Sequence, residues 1–190
     1  MHQERIGKVL GLCREHGVRQ ALLTDMNSVF YLTGRMIYTG SRLLALLLRE
    51  DGQHRLFLNQ LYAAPEGLGM ELVRFSDTDD VPAIIAAHTD HSAPLGIDRK
   101  MTAGHLLALQ GLGAASGYVN VSPWVDEVRS QKDAQEQELM KAASRINDQA
   151  MAEFKKLIRP GVSELDVARQ IEGIYRSLGA DGVSFGPLVS

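Results

Sequence analysis

The chain has 190 residues, of which 45% are hydrophobic and 23% are charged, and its formal net charge is −3. This composition predicts a globular protein with a sizeable core, and the lack of a basic excess argues against nucleic acid as a partner. The strongest apolar run, residues 43–48, is far shorter than a membrane helix, so we expect no membrane partner.

The chain begins with a predicted amphipathic helix. Ile6, Val9 and Cys13 recur at helical spacing, and Gly17 follows as a left-handed stop. Cys13, the single cysteine, therefore belongs to the packed face and is interpreted as structural. One cysteine cannot form an internal disulfide and no secretion signal is present, so we expect a cytoplasmic location.

Short apolar runs alternate with helical patterns as far as Val121. The predicted strands are residues 21–23, the two apolar runs that flank Asp51-Gly52, and residues 71–75, 95–98 and 118–121. The predicted helices are residues 80–88 and 102–112. This alternation predicts an α/β fold with a mixed or parallel sheet flanked by helices.

The apolar pattern stops between residues 128 and 132, where we expect a hinge. Beyond it, apolar residues step by three and four, which predicts one long helix: Leu139, Ala143, Ile146, Ala150, Phe154 and Leu157. Arg159-Pro160-Gly161 ends this helix, and Ser163 with Asp166 is a capping-box pattern that opens a second one. We expect two domains, 1–128 and 129–190, the second an antiparallel helix pair followed by an extended segment that begins at Ser184.

Two local motifs resemble catalytic or metal sites. Gly182-Val183-Ser184-Phe185-Gly186 matches the G-x-S-x-G pattern of a nucleophile elbow, but no strand precedes it and no helix follows it in the predicted structure, which favours a turn. His88, Asp90 and His91 could be metal ligands. No other His or Cys cluster completes a coordination shell, so a solvated loop is favoured.

Four further features have structural interpretations beside functional ones. His105 is interpreted as an ordinary helix histidine, and the glycines of residues 111–117 as a helix end, because a phosphate loop would join a strand to a following helix. Asp25 and Asp98 each end a predicted strand, where catalytic carboxylates often lie, but either could cap a helix or stabilise a turn.

Residues 25–34, Asp-Met-Asn-Ser-Val-Phe-Tyr-Leu-Thr-Gly, resemble the D-x-x-N-x-x-Y-L-T-G signature of the creatinase, prolidase and Xaa-Pro aminopeptidase family. Arg129, Lys132 and residues 136–143 resemble the segment that leads into the family's catalytic domain, and Arg159-Pro160-Gly161 with Ser163-Glu164 is similar to its helix junction. Residues 179–189 resemble the entry to its first catalytic strand. Arg35 stands where the family often has an aromatic residue.

The resemblance implies a creatinase-like N-terminal domain followed by the first helices of a truncated pita-bread metallopeptidase domain. It also implies that the intact family binds two divalent metal ions (Mn, Co or Zn), held by two Asp, one His and two Glu. These ions promote hydrolysis of the peptide bond before proline. No residue of this chain matches those ligands. We therefore assign no catalytic, cofactor-binding or metal-binding residue here, and we expect the 190-residue chain to be inactive and to bind no metal pair.

The resemblance also implies that the first domain shapes substrate access and makes subunit contacts, so we expect a homodimer and, for the intact protein, a proline-containing peptide as substrate. Three alternatives stay open. The chain could be a non-catalytic protein-binding or assembly module of the same architecture, or the intact protein could act on creatine or be a dipeptide-specific prolidase.

Overall fold

A computed structural model describes residues 1–63 and 66–189 of the chain. The chain divides into two compact units, Met1–Gln131 and the residues from Lys132 onward. The first unit is a six-stranded mixed sheet with helices packed against it, and the described part of the second consists of helices and loops. The predicted α/β class is confirmed.

The bounds of the elements are as follows. The helices of the first unit are α1 (Gln3–Glu15), α2 (Met26–Thr33), α3 (Val81–Ala86), α4 (Ala103–Gly111) and α5 (Ser122–Ser130). Its strands are β1 (Gln20–Leu23), β2 (Leu44–Arg49), β3 (Arg55–Asn59), β4 (Glu71–Phe75), β5 (Leu95–Ile97) and β6 (Tyr118–Asn120). The second unit contains α6 (Ala134–Leu157) and α7 (Glu164–Ser177).

The strands lie in the order β4-β3-β2-β1-β5-β6. β1, β5 and β6 are mutually parallel, β2 is antiparallel to β1 and to β3, and β3 and β4 are parallel. The β2–β3 hairpin turns at Asp51-Gly52, as the sequence predicts, with Gly52 at φ +80. Because β1, β5 and β6 run the same way, their carboxyl ends meet at one edge of the sheet.

Alternate residues of the central strands pack into two cores, one on each face of the sheet. Along β2, Leu44, Leu46 and Leu48 join the core beneath α1, α2 and α5, while Ala45 and Leu47 join the core beneath α3 and α4. A strand with both faces buried is a continuous apolar run, which is why residues 43–48 have that pattern.

Helix α5 was not predicted from the sequence. It begins at Ser122 with Val121 at the N-cap position and no side-chain cap, and proline lies in its first turn. Trp124, the single tryptophan, stacks on the His16 ring at 4.5 Å between centroids. The helix closes one face of the sheet and, with α2, borders the edge where β1, β5 and β6 end.

The second unit is a helix pair. Asp133 and Glu136 form a capping box at the start of α6, with N···O distances of 2.9 and 3.0 Å. Ser163 caps α7, as predicted, and its hydroxyl also donates to the Asp166 carboxylate at 2.6 Å. The Tyr175 ring meets Phe154 edge to face, which joins the two helices.

Large apolar side chains of the second unit stay exposed. Among the residues described from Lys132 onward, Ala150 and Val167 alone are buried hydrophobics. The exposed ones are Leu139, Met140, Met151, Ile158, Leu165, Val183, Phe185 and Leu188. Residues 178–189 form no helix or strand, and Ser190, the end of the predicted extended segment, lies outside the described residues. Within the described part of the chain, no helix meets the length and hydropathy needed to cross a membrane.

Candidate functional site

A polar cleft of about 200 Å³ lies at the sheet edge where β1, β5 and β6 end. We name it the α2–α5 cleft after the two helices that border it. Its lining residues are Asp25, Asn27, Ser28, Asp98, Arg99, Lys100, Ser122, Val125, Asp126 and Arg129. The carboxyl edge of parallel strands is where open α/β sheets usually bind ligands, so this cleft is the candidate site of the first unit.

Asp98 is the buried carboxylate of the cleft, with 5% of its surface exposed. It accepts hydrogen bonds from the Thr24 amide and hydroxyl and, at 2.8 Å, from the Asp25 amide. It also accepts from the amides of Lys100 and Met101 at 2.8 and 2.9 Å. This network ties the end of β1 to the end of β5. Asp98 therefore stabilises a turn, which is one of the two structural roles that the sequence analysis considered for it.

Asp25 is the N-cap of α2. Its Oδ2 accepts from the Ser28 amide at 3.0 Å and from the Ser28 hydroxyl at 2.7 Å. The structure therefore brings the two strand-end acids together, but Asp98 accepts hydrogen bonds through both oxygens and Asp25 through Oδ2. They form a scaffold at the cleft and not a pair of free acids.

Tyr31, in the same signature segment, joins three helices. The Arg5 guanidinium lies over its ring, 4.3 Å from the centroid, and its hydroxyl donates to the Val128 carbonyl at 3.2 Å. Because Arg5 is on α1 and Val128 is on α5, Tyr31 fixes α2 against both neighbours.

The end of α2 is set by Thr33 and Gly34. The Thr33 hydroxyl donates to the Val29 carbonyl at 2.7 Å and accepts from the Arg35 amide at 3.1 Å. Gly34 has φ +72, and a Cβ there would lie 2.9 Å from the His2 ring, so only glycine suits this helix end. Arg35 itself is exposed and donates to the Glu66 carbonyl at 3.2 Å.

The candidate metal ligands of the 88–91 loop have local partners. His91 Nε2 donates to the Ala86 carbonyl at 2.8 Å, and Asp90 Oδ1 accepts from the Ser92 hydroxyl at 2.7 Å. Hydrogen bonds from Ser92 hold the pKa of the Asp90 carboxyl below its usual range. The His88 ring lies 5.6 Å from that of Phe57, and burial lowers its pKa. The three side chains thus serve loop and core contacts.

His105 and Cys13 also have structural surroundings. His105 Nδ1 lies 2.7 Å from the hydroxyl of Thr102, the N-cap of α4. Cys13 is fully buried in the core beneath α1, and burial raises the pKa of its thiol to about 12. A thiol that stays protonated is a poor nucleophile, so the structural interpretation of Cys13 is confirmed.

The two glycine-containing motifs differ from the catalytic and phosphate patterns that they resemble. Residues 182–186 lie in an irregular segment, with no strand before Ser184 and no helix after it in the described chain, whereas a nucleophile elbow needs both. Of the glycines in residues 111–117, Gly111 ends α4, and Gly113, at φ +59, and Gly117 lie between α4 and β6. This helix-to-strand order is the reverse of a phosphate loop.

The family model described as the Creatinase/Prolidase N-terminal domain matches residues 5–131, and that of Metallopeptidase family M24 matches residues 138–190. The chain belongs to the creatinase/prolidase family. The predicted family resemblance is thereby confirmed, and the chain is a member of a peptidase family.

The chain spans about half the length of the creatinase/prolidase relatives that it matches. It is 27% identical to the uncharacterized peptidase YqhT of Bacillus subtilis, a match that covers 98% of this chain and 52% of that protein. The crystal structure of a prolidase from Thermococcus sibiricus is similar with a TM-score of 0.85 and 28% identity, over 98% of this chain and 53% of the other. The crystal structure of a dipeptidase from Pyrococcus horikoshii is similar with a TM-score of 0.81 and 25% identity, over 96% of this chain and 52% of the other.

Metallopeptidases of this family imply divalent metal ions, and the described residues do not fit them. Across residues 1–63 and 66–189, no group of three or more His, Cys, Asp and Glu side chains is placed to hold a metal. Both oxygens of Asp98 and Oδ2 of Asp25 already accept hydrogen bonds from backbone and hydroxyl donors.

Most cleft residues were missed by the sequence analysis. Arg99 and Lys100 directly follow β5, a position that could have suggested them. Ser122, Asp126 and Arg129 lie on α5, an element that was not predicted. Asn27 was noted only within the segment that resembles the family signature, and its side chain has no hydrogen-bond partner among the described residues.

Proposed function

We propose that this chain contributes the N-terminal domain (residues 1–128) and the first helices of the catalytic domain (residues 129–190) to a metal-dependent Xaa-Pro peptidase. The observation that carries the proposal is the ordered match of both family models, residues 5–131 and 138–190. Relatives named peptidase, dipeptidase and prolidase support a proline-containing peptide as substrate.

The two divalent ions of such an enzyme (Mn, Co or Zn) would bind to residues outside this sequence. Two facts support this view: the relatives are about twice as long as the chain, and the described residues hold no suitable ligand group. In this proposal the first unit shapes substrate access and makes subunit contacts, and the 190 residues alone have no peptidase activity.

Hydrolysis assays test the proposal. The 190-residue chain and a longer gene product that continues past Ser190 are each incubated with Mn²⁺ and a Xaa-Pro dipeptide, with the matched Xaa-Ala dipeptide and creatine as controls. We expect the longer product to cleave the Xaa-Pro bond and the short chain to cleave nothing. Turnover by the short chain, or a longer product that acts on creatine alone, would contradict the proposal.

A homodimer is the expected assembly. Exposed Leu139, Met140 and Leu165 add apolar area that a monomer would leave in water. Light scattering at tens of micromolar should give twice the chain mass. A chain ending near Val128 should stay dimeric if the first unit makes the contact and become monomeric if the helices do. A strictly monomeric 190-residue chain would contradict the dimer.

A cytoplasmic location is also proposed. The lone thiol of Cys13 is buried in the core, and the protein therefore needs no oxidising compartment for its stability.

A further inference from the structure

The α2–α5 cleft contains three acidic and three basic residues with different hydrogen-bonding states. The acids are Asp25, Asp98 and Asp126, and the bases are Arg99, Lys100 and Arg129. Formal charges cancel, so the kind of ligand that the cleft can hold depends on which groups still have unused donors or acceptors.

Most acceptors of the cleft are already in use, and Asp25 Oδ1 is the exception. Asp98 accepts five hydrogen bonds from the backbone and hydroxyl groups of residues 24, 25, 100 and 101. Asp25 accepts two from Ser28. Asp126 pairs with Arg99 through one oxygen and lies 3.7 Å from Arg129 through the other. A cation bound at Asp98 or Asp126 would have to displace these donors, which leaves it a single oxygen, Asp25 Oδ1.

The donors of the cleft are in part unused. Lys100 is exposed, and its ammonium group makes no ion pair or hydrogen bond within the described residues, while its backbone amide is fixed by Asp98. The Asn27 amide is likewise unpaired in the described chain. Arg129 makes one long ion pair at 3.7 Å, which leaves most of its five N–H groups for another acceptor.

We propose that the α2–α5 cleft binds a small oxyanion, either the carboxylate of an amino acid or short peptide or a free phosphate. Lys100, Arg129 and Asn27 supply the donors, and the bound carboxylates of Asp25 and Asp98 hold the backbone beneath them in place. The volume of about 200 Å³ is below the roughly 300–1,000 Å³ of sites for drug-sized ligands, which matches an ion of this size. The site is independent of the proposed peptidase activity.

The affinity should be modest. The cleft is open to solvent and Asp126 opposes an anion, so charge-assisted hydrogen bonds there are screened. We expect dissociation constants of about 1 mM.

Nuclear magnetic resonance of the 190-residue chain tests the site. Amide signals of ¹⁵N-labelled protein are followed during separate titrations with acetate, inorganic phosphate and sodium chloride at matched ionic strength. We expect saturable shifts at the amides of residues 27, 28 and 100 with acetate, phosphate or both, and none with chloride. Saturation by acetate alone identifies a carboxylate ligand, and saturation by phosphate alone identifies phosphate.

Variants assign the binding to the cleft. Lys100→Gln should weaken binding at least about fivefold through loss of one charge-assisted contact, and Lys100→Arg should restore it. Lys155→Gln, which removes an exposed lysine charge in the second unit, should leave binding unchanged. The spectrum of each variant shows whether it is folded, and Asn27→Ala gives a second, uncharged test.

Three results would overturn the proposal. They are the absence of a saturable shift with either oxyanion at tens of millimolar, equal shifts with chloride, and unchanged binding in both Lys100→Gln and Asn27→Ala.

Discussion

Gly96 occupies the middle of β5, where the sheet leaves no room for a side chain. A Cβ at this position would lie 2.5 Å from Val121 Cγ1 and 3.2 Å from the Ala21 Cβ. Val121 is fully buried and its branched side chain has little freedom to move. The residue is therefore glycine for reasons of packing and not of backbone conformation.

Replacing Gly96 with alanine should lower the free energy of unfolding of the first unit by about 1–3 kcal/mol, the usual cost of overpacking a core. The matched control is Gly7→Ala, an exposed position inside α1 with no atom within 4 Å of the added Cβ. This change should raise stability by about 0.5–1 kcal/mol. Amide hydrogen exchange of β1 measures both, and a sign that is the same for the two variants would refute the packing argument.

At the level of single residues, the sequence predicts where a residue lies in the fold better than it predicts which groups that residue contacts. Turn chemistry located Asp25 and Asp98 at strand ends, and helical spacing located Cys13 in the core. The bond between the Asp25 amide and Asp98 depends on the parallel pairing of β1 with β5. The pairing of β1 with β5 joins segments that are far apart in the sequence, and no local sequence pattern predicts it. The contact between the two acids could therefore not be predicted.

Among the elements, the β2–β3 hairpin includes a buried histidine. His54 Nδ1 accepts a hydrogen bond from the Arg49 amide at 3.2 Å. Burial lowers the pKa of His54, and the Asp51 carboxylate opposes that effect in part. A neutral imidazole is thus built into the folded hairpin.

The first unit should lose stability as the pH falls below about 6.5, the ordinary histidine pKa. In that range the unfolded chain takes up a proton at His54 before the folded chain does, so protonation favours unfolding. His88 acts in the same direction. The variant His54→Asn keeps an acceptor for Arg49 and should show a shallower pH dependence in urea denaturation.

The carboxyls with lowered pKa, such as those of Asp51 and Asp90, affect stability only at lower pH, below about 4. A slope between pH 7 and 5 that is the same in His54→Asn and the unaltered protein would show that His54 does not cause it.

Helix α6 begins at a capping box, which offers a test confined to the second unit. Asp133→Ala removes the acceptor for the Glu136 amide, now 2.9 Å away, and should destabilise the helix pair by about 1 kcal/mol. Asp148→Ala changes an exposed acid inside the same helix and should be neutral or stabilising. Thermal unfolding followed by far-ultraviolet circular dichroism compares the two, and equal melting curves would contradict the role of the cap.

Helices that begin after a residue with a capping side chain could be predicted from the sequence, and a helix without such a residue could not. Thr102 before α4 and Asp80 before α3 each cap the following helix, so their starts can be read in the sequence. Helix α5 has Val121 at its N-cap, a residue with no capping side chain. The lack of that signal explains why α5, and with it four of the ten residues that line the α2–α5 cleft, was not predicted.

For the whole molecule, the uneven distribution of buried residues predicts uneven protection from proteases. The first unit has two cores, whereas Ala150 and Val167 are the buried hydrophobics described in the second. Local stability follows buried contact. Limited trypsin digestion should cut first at Arg129, Lys132 or the second unit.

The internal control for that digestion is the β2–β3 hairpin, whose Arg49 and Arg55 are half-buried and should resist trypsin. Equal cleavage of both units would mean that the helix pair is covered, most simply by a second copy of the chain.

The stacking of Trp124 on His16 gives the protein an intrinsic optical label. Trp124 is the only indole in the chain, and it lies in the first unit against α1. Its emission therefore follows the sheet domain, while the helix pair contributes to the far-ultraviolet dichroism. Recording both signals on one sample distinguishes a molecule that melts in one step from one whose two halves melt in turn, without any dye or engineered chromophore.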